Sequence, residues 1–272
     1  MSKTISRTIH GFANLLMAPM KVRRRWLARA RTIEGFYQNV PISTDRGTLM
    51  FHITNRQTLT EPLGFEAYEP DTLEWIRAFP KDAVLWDIGA NIGIFTLYSA
   101  QEPSVRILAF EPAAATYAVL IKNIEINGFS ESVSAYSVAL SDETKCGLLN
   151  METTDSGAYL HVFEEKINVN DKAVDVKFQQ STVGISIDDF IHLFAPPLPT
   201  HVKIDVDGTE SRIIEGGREL FSGNHVKSVF IEVMGDLGRQ RNQRIIQQMT
   251  EFGYKVVPMA SPEYRNLEFR KP

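Results

Sequence analysis

The chain has 272 residues, 43% of them hydrophobic, and a formal net charge of −4. That length holds one substantial α/β core with peripheral pieces. A single cysteine, Cys146, excludes an internal disulfide and fits a reducing, cytoplasmic compartment, and the six histidines (His10, His52, His161, His192, His201 and His225) are scattered without zinc-site spacing, as packing or surface residues would be.

Charge is unevenly distributed. Residues 1–35 carry eight basic side chains against Glu34 alone, a net +7, which leaves −11 on the rest of the chain. Ile5, Ile9, Phe12, Leu15 and Leu16 recur at helical spacing before Pro19, with a basic run from Lys21 to Arg31 behind them. Such a segment suits an anionic membrane surface or an acidic partner; it equally suits a helix packed on the rest of the chain with solvated arginines. It lacks an apolar run long enough for a signal peptide or a membrane span. The acidic body and the absence of interleaved aromatics argue against a nucleic-acid partner.

Residues 36–80 read as an entry module. Alternation over Thr48–Ile53 beside the turn residues Asp45, Arg46 and Gly47 predicts a hairpin. Asp71–Phe79 predicts a helix leading into the first strand of the main sheet, with Glu69 before Pro70 as its capping acid.

Residues 81–272 read as the main domain, beginning with Val84–Gly93, VLWDIGANIG. Val84, Leu85 and Trp86 form the apolar run of a parallel strand buried on both faces. Gly89 permits a sharp turn, Gly93 permits close approach, and Ile94, Phe95, Leu97 and Tyr98 continue at helical spacing. The result is a strand, a loop and a helix N-terminus, a ligand-binding corner that also occurs as a plain structural turn. The pattern is not the dinucleotide fingerprint G-x-G-x-x-G, because Asp87 precedes the first glycine and Asn91 lies between the two. A carboxylate here repels phosphate and suits a cationic or ammonium-bearing ligand, which points to S-adenosylmethionine, with its amino acid group and sulfonium.

The second strand, Arg106–Phe110, ends in Glu111 and Pro112. A carboxylate at that tip accepts both hydroxyls of a ribose, or caps the helix carrying Tyr117, Leu120, Ile121 and Ile124. Val133–Leu140 reads as a third strand. An insertion over residues 141–183 follows, with short strands expected at Gly147–Met151 and Ala173–Phe178, at the sheet edge where an acceptor would bind.

The fourth strand, His201–Val206, delivers Asp205 to the carboxyl edge, and Asp207 and Gly208 turn the chain into a helix holding Ile213, Ile214 and Leu220. A carboxylate at this edge is placed to orient a reacting group and act as its base. Asp205 is the candidate base, with Lys203 on the same strand face as its charge partner and Asp207 as a neighbour. Otherwise Asp205 caps a helix and Asp207-Gly208 is a turn. Asp205, Asp207 and Glu232, the last at the end of the strand Ser228–Val233, are also candidate ligands for a divalent cation. A helix over Arg244–Phe252 and strands over Tyr254–Met259 and Tyr264–Phe269 complete a Rossmann-like, doubly wound α/β fold: a mostly parallel seven-stranded sheet, helices on both faces, and a reversed last strand.

DIGANIG (Asp87–Gly93), FEP (Phe110–Pro112), VALSD (Val138–Asp142), ISIDDF (Ile185–Phe190), VKIDVDGTE (Val202–Glu210) and IIEGG (Ile213–Gly217) follow one another in order. In this combination the chain resembles the FkbM-type family of class I methyltransferases. The resemblance implies S-adenosylmethionine held by Asp87, Gly89, Asn91, Gly93, Glu111 and Pro112, with Val138 and Ala139 against the adenine. It also implies an N-terminal hairpin and helix beside the cleft, where Glu69 would face the active site instead of capping its helix, and as acceptor a hydroxyl of a sugar, glycan or polyketide-like metabolite. One departure stands out: the family usually has Glu where this chain has Asp207. Two other classes compete with an O-methyltransferase. D-x-D after an apolar strand suits a metal-dependent nucleotide-sugar glycosyltransferase, and the basic N-terminus suits a non-catalytic, cofactor-binding scaffold at a membrane surface.

Overall fold

The computed structural model describes residues 2–36, 38–165, 173–233, 237–257 and 266–272. Backbone contacts divide the chain into two compact units, Met1–Asn39 and Val40–Pro272. The first is built from two helices, α1 (Ser2–Met17) and α2 (Val22–Phe36). Arg25 of α2 closes the turn between them by donating from Nη2 to the carbonyls of Ala18 (2.7 Å) and Met20 (3.2 Å), and Arg29 Nη2 donates to Asn14 Oδ1 at 2.9 Å.

From Val40 the second unit takes in the rest of the predicted hairpin, β1 (Gln38–Thr44) and β2 (Gly47–Ile53), whose Leu49 and Phe51 are fully buried. A helix with no counterpart in the sequence reading follows, α3 (Arg56–Tyr68). Its start is a capping box: Thr58 N–H donates to the Asn55 side chain (3.0 Å) and Asn55 N–H donates to Thr58 Oγ1 (3.1 Å). The interior Pro62 and the weak amphipathicity of α3 hide it from a periodicity search. Helix α4 (Pro70–Arg77) then leads into the sheet.

The main unit continues with β3 (Val84–Ile88), α5 (Ile94–Ala100), β4 (Arg106–Phe110), α6 (Ala114–Asn127) and β5 (Val133–Tyr136). The insertion and fourth-strand region hold β6 (Ala139–Ser141), β7 (Lys145–Met151), β8 (Val162–Phe163), β9 (Phe178–Ser186), α7 (Ile187–Phe194), β10 (His201–Ile204), α8 (Glu210–Glu215) and α9 (Arg218–Ser222). The chain closes with β11 (Ser228–Glu232), α10 (Gln240–Glu251), β12 (Lys255–Val257) and β13 (Asn266–Arg270). The main sheet has seven strands in the order β12-β13-β11-β10-β3-β4-β5. The strands β11, β10, β3, β4 and β5 pair in parallel, and β13 runs antiparallel between β11 and β12. Both expected terminal strands run past Val257 or begin before Asn266, so their outer residues lie outside the described ones.

Alternating side chains of the central strands feed two cores. Trp86, Ile88, Val202 and Ile204 pack with Phe190 and Ile213 on one face, while Leu85, Ile107 and Ala109 pack with Leu97 and Leu120 on the other. In register, Lys203 lies beside Asp87. Two charged residues therefore stand at neighbouring positions of an otherwise apolar sheet centre.

Three sequence expectations are corrected. Val133–Leu140 is not one strand: it breaks after Tyr136, and β6 leaves the main sheet to pair in parallel with β9. No strand covers Ala173–Phe178, and β9 instead runs from Phe178 to Ser186 through a second, four-stranded sheet of order β6-β9-β7-β8. The helix expected to hold Ile213, Ile214 and Leu220 is divided into α8 and α9 at Gly216-Gly217, because Gly216 packs on the carbonyl of Ser141, where a Cβ would come within 2.0 Å of the oxygen.

That contact belongs to a lock among three motifs. Ser186 Oγ accepts from Asp189 N–H (3.1 Å) to cap α7, and the Asp188 carboxylate accepts from the N–H groups of Glu219 and Leu220 (2.9 and 3.1 Å) to cap α9. Arg212 clasps Asp142 Oδ1 with Nη2 at 2.7 Å and Nε at 3.0 Å. VALSD, ISIDDF and IIEGG thus hold the insertion to the sheet.

Candidate active site

A cavity of about 480 Å³ opens at the carboxyl ends of β3, β4, β10 and β11. Its walls include Asp87, Gly89, Asn91, Glu111 and Pro112 from the first two strand ends, and Lys203, Asp205, Asp207 and Glu232 from the last two. Val138 and Ala139 line an adjoining apolar recess that shares Gly89, Pro112, His161 and Val206 with the cavity. Gly93 is set apart from this wall. It caps α5 in the left-handed region (φ 90°) against Leu120, whose Cδ1 would lie 2.4 Å from an added Cβ, so it positions the helix.

The loop after β3 is shaped by backbone needs. Gly89 and Ala90 donate to the Phe110 carbonyl at 2.9 and 3.0 Å, which ties the loop to the end of β4. Gly89 (φ 83°) leaves no room for a side chain, since a Cβ would stand 1.8 Å from the Asp205 carbonyl oxygen. Asn91, at φ 49°, is held by its own side chain, which accepts from Ile92 N–H at 2.7 Å. Glu111 then accepts from Asn91 N–H (3.0 Å) and Ala113 N–H (2.8 Å). Burial pushes the Glu111 carboxyl up to about 7 against those two donors, with the charges of Asp207 and Asp87 adding to the rise.

Asp87 is buried, and Thr96 Oγ1 donates to its Oδ2 at 2.6 Å. Its Oδ1 has no hydrogen-bond partner among the described residues. Burial raises its pKa, and the nearby Lys203 charge and the Thr96 hydroxyl oppose that rise. A buried carboxylate oxygen left without a donor, on a residue that lines the cavity, suits an ammonium or hydroxyl.

Lys203 Nζ pairs with Asp205 Oδ2 at 2.6 Å and sits 5.0 Å from the centre of the Phe95 ring. Burial would lower the Lys203 pKa, but the carboxylates of Asp205, Glu69 and Asp87 outweigh it and hold the ammonium above the ordinary lysine value. Asp205 does not cap a helix: α8 starts from Thr209, with no side-chain cap bond. Glu232 is raised well above its ordinary value, first by burial, then by the charges of Asp205, Asp207 and Glu210.

Asp207 has a different occupation. In the left-handed region at φ 59°, it accepts Leu160 N–H on Oδ2 at 2.6 Å and so pins the insertion over the cavity. Burial, reinforced by Asp205, pushes its carboxyl up to about 7. No group of three or more His, Cys, Asp or Glu among the described residues is arranged to hold a metal ion, and Asp205, Asp207 and Glu232 do not make one.

Sequence reasoning missed two contributors to the wall, Glu61 and His161, and favoured the wrong one of two roles for Glu69. Glu69 was expected to cap α4 but makes no side-chain cap bond to it; its Oε2 accepts from Thr72 Oγ1 at 2.8 Å, and the residue lines the cavity. Glu61 enters from the unforeseen α3. His161, from the insertion, lies in both the cavity and the recess, and neither ring nitrogen has a hydrogen-bond partner among the described residues. Burial lowers its pKa, so the ring is neutral at physiological pH. His201, by contrast, packs 4.2 Å from Phe79 and hydrogen-bonds Ser228 Oγ at 2.8 Å.

A model of the methyltransferase FkbM domain matches residues 87–256, well over half of the chain. The chain belongs to the FkbM methyltransferase family. The chain is 33% identical over 154 residues to Methyltransferase 1 of Beauveria bassiana, covering 52% of this chain and 61% of that protein. It is 28% identical over 162 residues to Methyltransferase sdnD of Sordaria araneosa, covering 52% and 62%. The matches thus span about three fifths of the length of these curated relatives. Among solved structures, an FkbM methyltransferase from Methylobacillus flagellatus is similar at 15% identity and a TM-score of 0.47, over 71% of this chain and 44% of that one.

Two outcomes follow from the cavity of this FkbM domain. Glu111 and Asp207 have folded-state values near 7, above the ordinary carboxylate values of 4.5 and 3.8. Between those limits the unfolded chain has released protons that the folded chain keeps, so stability falls as pH rises across the window. Chemical denaturation of the ligand-free protein is expected to lose roughly 2 kcal/mol between pH 5 and pH 7.5, with a shallower loss in Asp207→Asn. A pH-independent midpoint would show that these carboxyls ionise normally. For His161→Leu, which keeps volume and removes the nitrogens, unchanged or slightly higher stability is expected, together with ligand binding weaker by roughly tenfold. Melting curves beside calorimetry separate this from mere packing, which would lower stability and leave affinity alone.

Proposed function

We propose that the protein is an S-adenosylmethionine-dependent O-methyltransferase acting on a hydroxyl of a sugar, glycan or polyketide-like metabolite. The observation that carries the reading is the Lys203–Asp205 pair at the floor of the cavity (2.6 Å), with the unpartnered Asp87 Oδ1 on the same wall. Family membership supports the methyl-transfer class, and the acceptor class rests on the sequence resemblance alone.

The residues present fit the cofactor. Asp87 offers an acceptor to its ammonium, Glu111 has the reach and burial to meet the ribose, and Val138 and Ala139 line a small apolar recess, about 30 Å³, beside the cavity where the resemblance puts the adenine. Acidic walls suit a cationic ligand, and its arrival offsets the carboxylate repulsion that adds to burial in raising Glu111 and Asp207. When bound, S-adenosylmethionine supplies an electrophilic methyl group. Asp205 takes the acceptor hydroxyl's proton, Lys203 holds that carboxylate in place, and the loop pinned by Asp207 excludes water.

Calorimetry with S-adenosylmethionine, followed by transfer of labelled methyl to a panel of hydroxylated glycans and metabolites, tests the reading. Saturable cofactor binding and label on an oxygen support it. No cofactor binding overturns the cofactor, and label on nitrogen or carbon overturns the O-methyl assignment.

A further inference from the structure

Outside the cavity, the most unusual surface is on the N-terminal unit. Ile5, Ile9, Phe12 and Leu16 form one stripe of α1, with exposures of 54%, 50%, 62% and 59%. On α2, Trp26 is 61% exposed. A helical pair with this much solvated apolar surface is uncommon in a soluble fold.

Charge says what covers it. Within this unit Glu34 is the sole acid against eight basic side chains, and no ion pair is formed by its described residues. Arg25 and Arg29 are used to brace the turn and the helix contact, and the Arg29 guanidinium also sits 4.8 Å from the Trp26 ring. Lys3, Arg7, Lys21, Arg23, Arg24 and Arg31 are left for an outside anion. An apolar stripe on one face of α1, with Lys3 and Arg7 on the opposite face and the basic run of α2 after it, matches the boundary between acyl chains and anionic headgroups, with the long basic side chains reaching outward. Among the described residues no helix is long and apolar enough to cross a bilayer, so the segment lies along the surface. The rest of the chain carries −11 and is repelled by the same surface, which confines the contact to this unit.

We propose that residues 2–36 form an interfacial anchor that docks the protein on an anionic lipid surface. A nucleic acid would use the arginines and leave the apolar stripe in water, and a second copy of the chain would bring like charges together.

The test uses the full chain with vesicles of phosphatidylcholine containing about three tenths phosphatidylserine, and with vesicles of phosphatidylcholine alone. Trp75 and Trp86 are 4% and 0% exposed, so a blue shift in tryptophan emission reports Trp26. Flotation with the anionic vesicles and a blue shift are expected, with affinity falling roughly fivefold for each arginine replaced, as in Arg23→Gln and Arg24→Gln. Phe12→Ser is expected to lose roughly tenfold or more while circular dichroism stays unchanged. No flotation, or equal flotation on both vesicle types, overturns the proposal. So does tighter binding to RNA that survives Phe12→Ser, or a dimer that Phe12→Ser dissociates.

Discussion

Replacing Asp205 by Asn is expected to lower kcat by roughly a thousandfold while the Kd for S-adenosylmethionine stays within a few fold. The amide keeps the shape and still accepts from Lys203 Nζ, now 2.6 Å from Oδ2. It removes the one property the proposed step needs, a carboxylate able to take a proton. Single-turnover assays with excess enzyme isolate the chemical step from product release. Unchanged turnover would remove Asp205 as the base and leave Glu232, which lines the same cavity, as the next group to replace.

Lys203→Met is expected to destabilise the fold by about 3–5 kcal/mol, the usual cost of removing one partner from a buried charge cluster. Lys203 is 2% exposed, and its ammonium offsets the charges of Asp205, Glu69 and Asp87 at once. Without it those carboxylates must protonate or draw in water. The variant is therefore expected to regain part of its stability as pH falls toward the carboxylate range, opposite to the behaviour of a simple cavity mutant. The double variant Lys203→Met with Asp205→Asn should lose less than the sum of the two single losses, because each change removes part of the other's penalty. Additive losses in denaturant titrations would show that the two side chains act independently.

The two variants separate roles that the geometry joins. Asp205 stands at the cavity and its change should be read in kcat, whereas Lys203 lies beneath it and its change should be read first in stability. Glu69 belongs to the same cluster through Lys203, although it comes from the junction of α3 and α4, over 130 residues earlier in the chain.

The features legible in the sequence were short-range. VLWDIGANIG declares a buried strand, a turn and a helix start because apolar run, glycine and helical spacing act within ten residues. Asp87, Glu111 and Asp205 could be placed at strand ends for the same reason, and Lys203 and Asp205 on one face by simple alternation. The hairpin at Asp45–Gly47 and the parallel order of the central strands follow from turn chemistry and from the repeated strand–helix units.

What the sequence by itself determined was therefore the fold class and the edge of the sheet at which ligands gather. The tertiary structure decided what each side chain does there. Asp207 holds Leu160, 47 residues away, and Gly216 seats on Ser141, contacts that no local pattern encodes. The break at Tyr136 and the second sheet depend on β6 finding β9, and His161 faces the cavity because that sheet carries it there. Propensity acts through neighbouring dihedrals, whereas a buried polar group's role is set by which distant groups desolvate it and which bond to it.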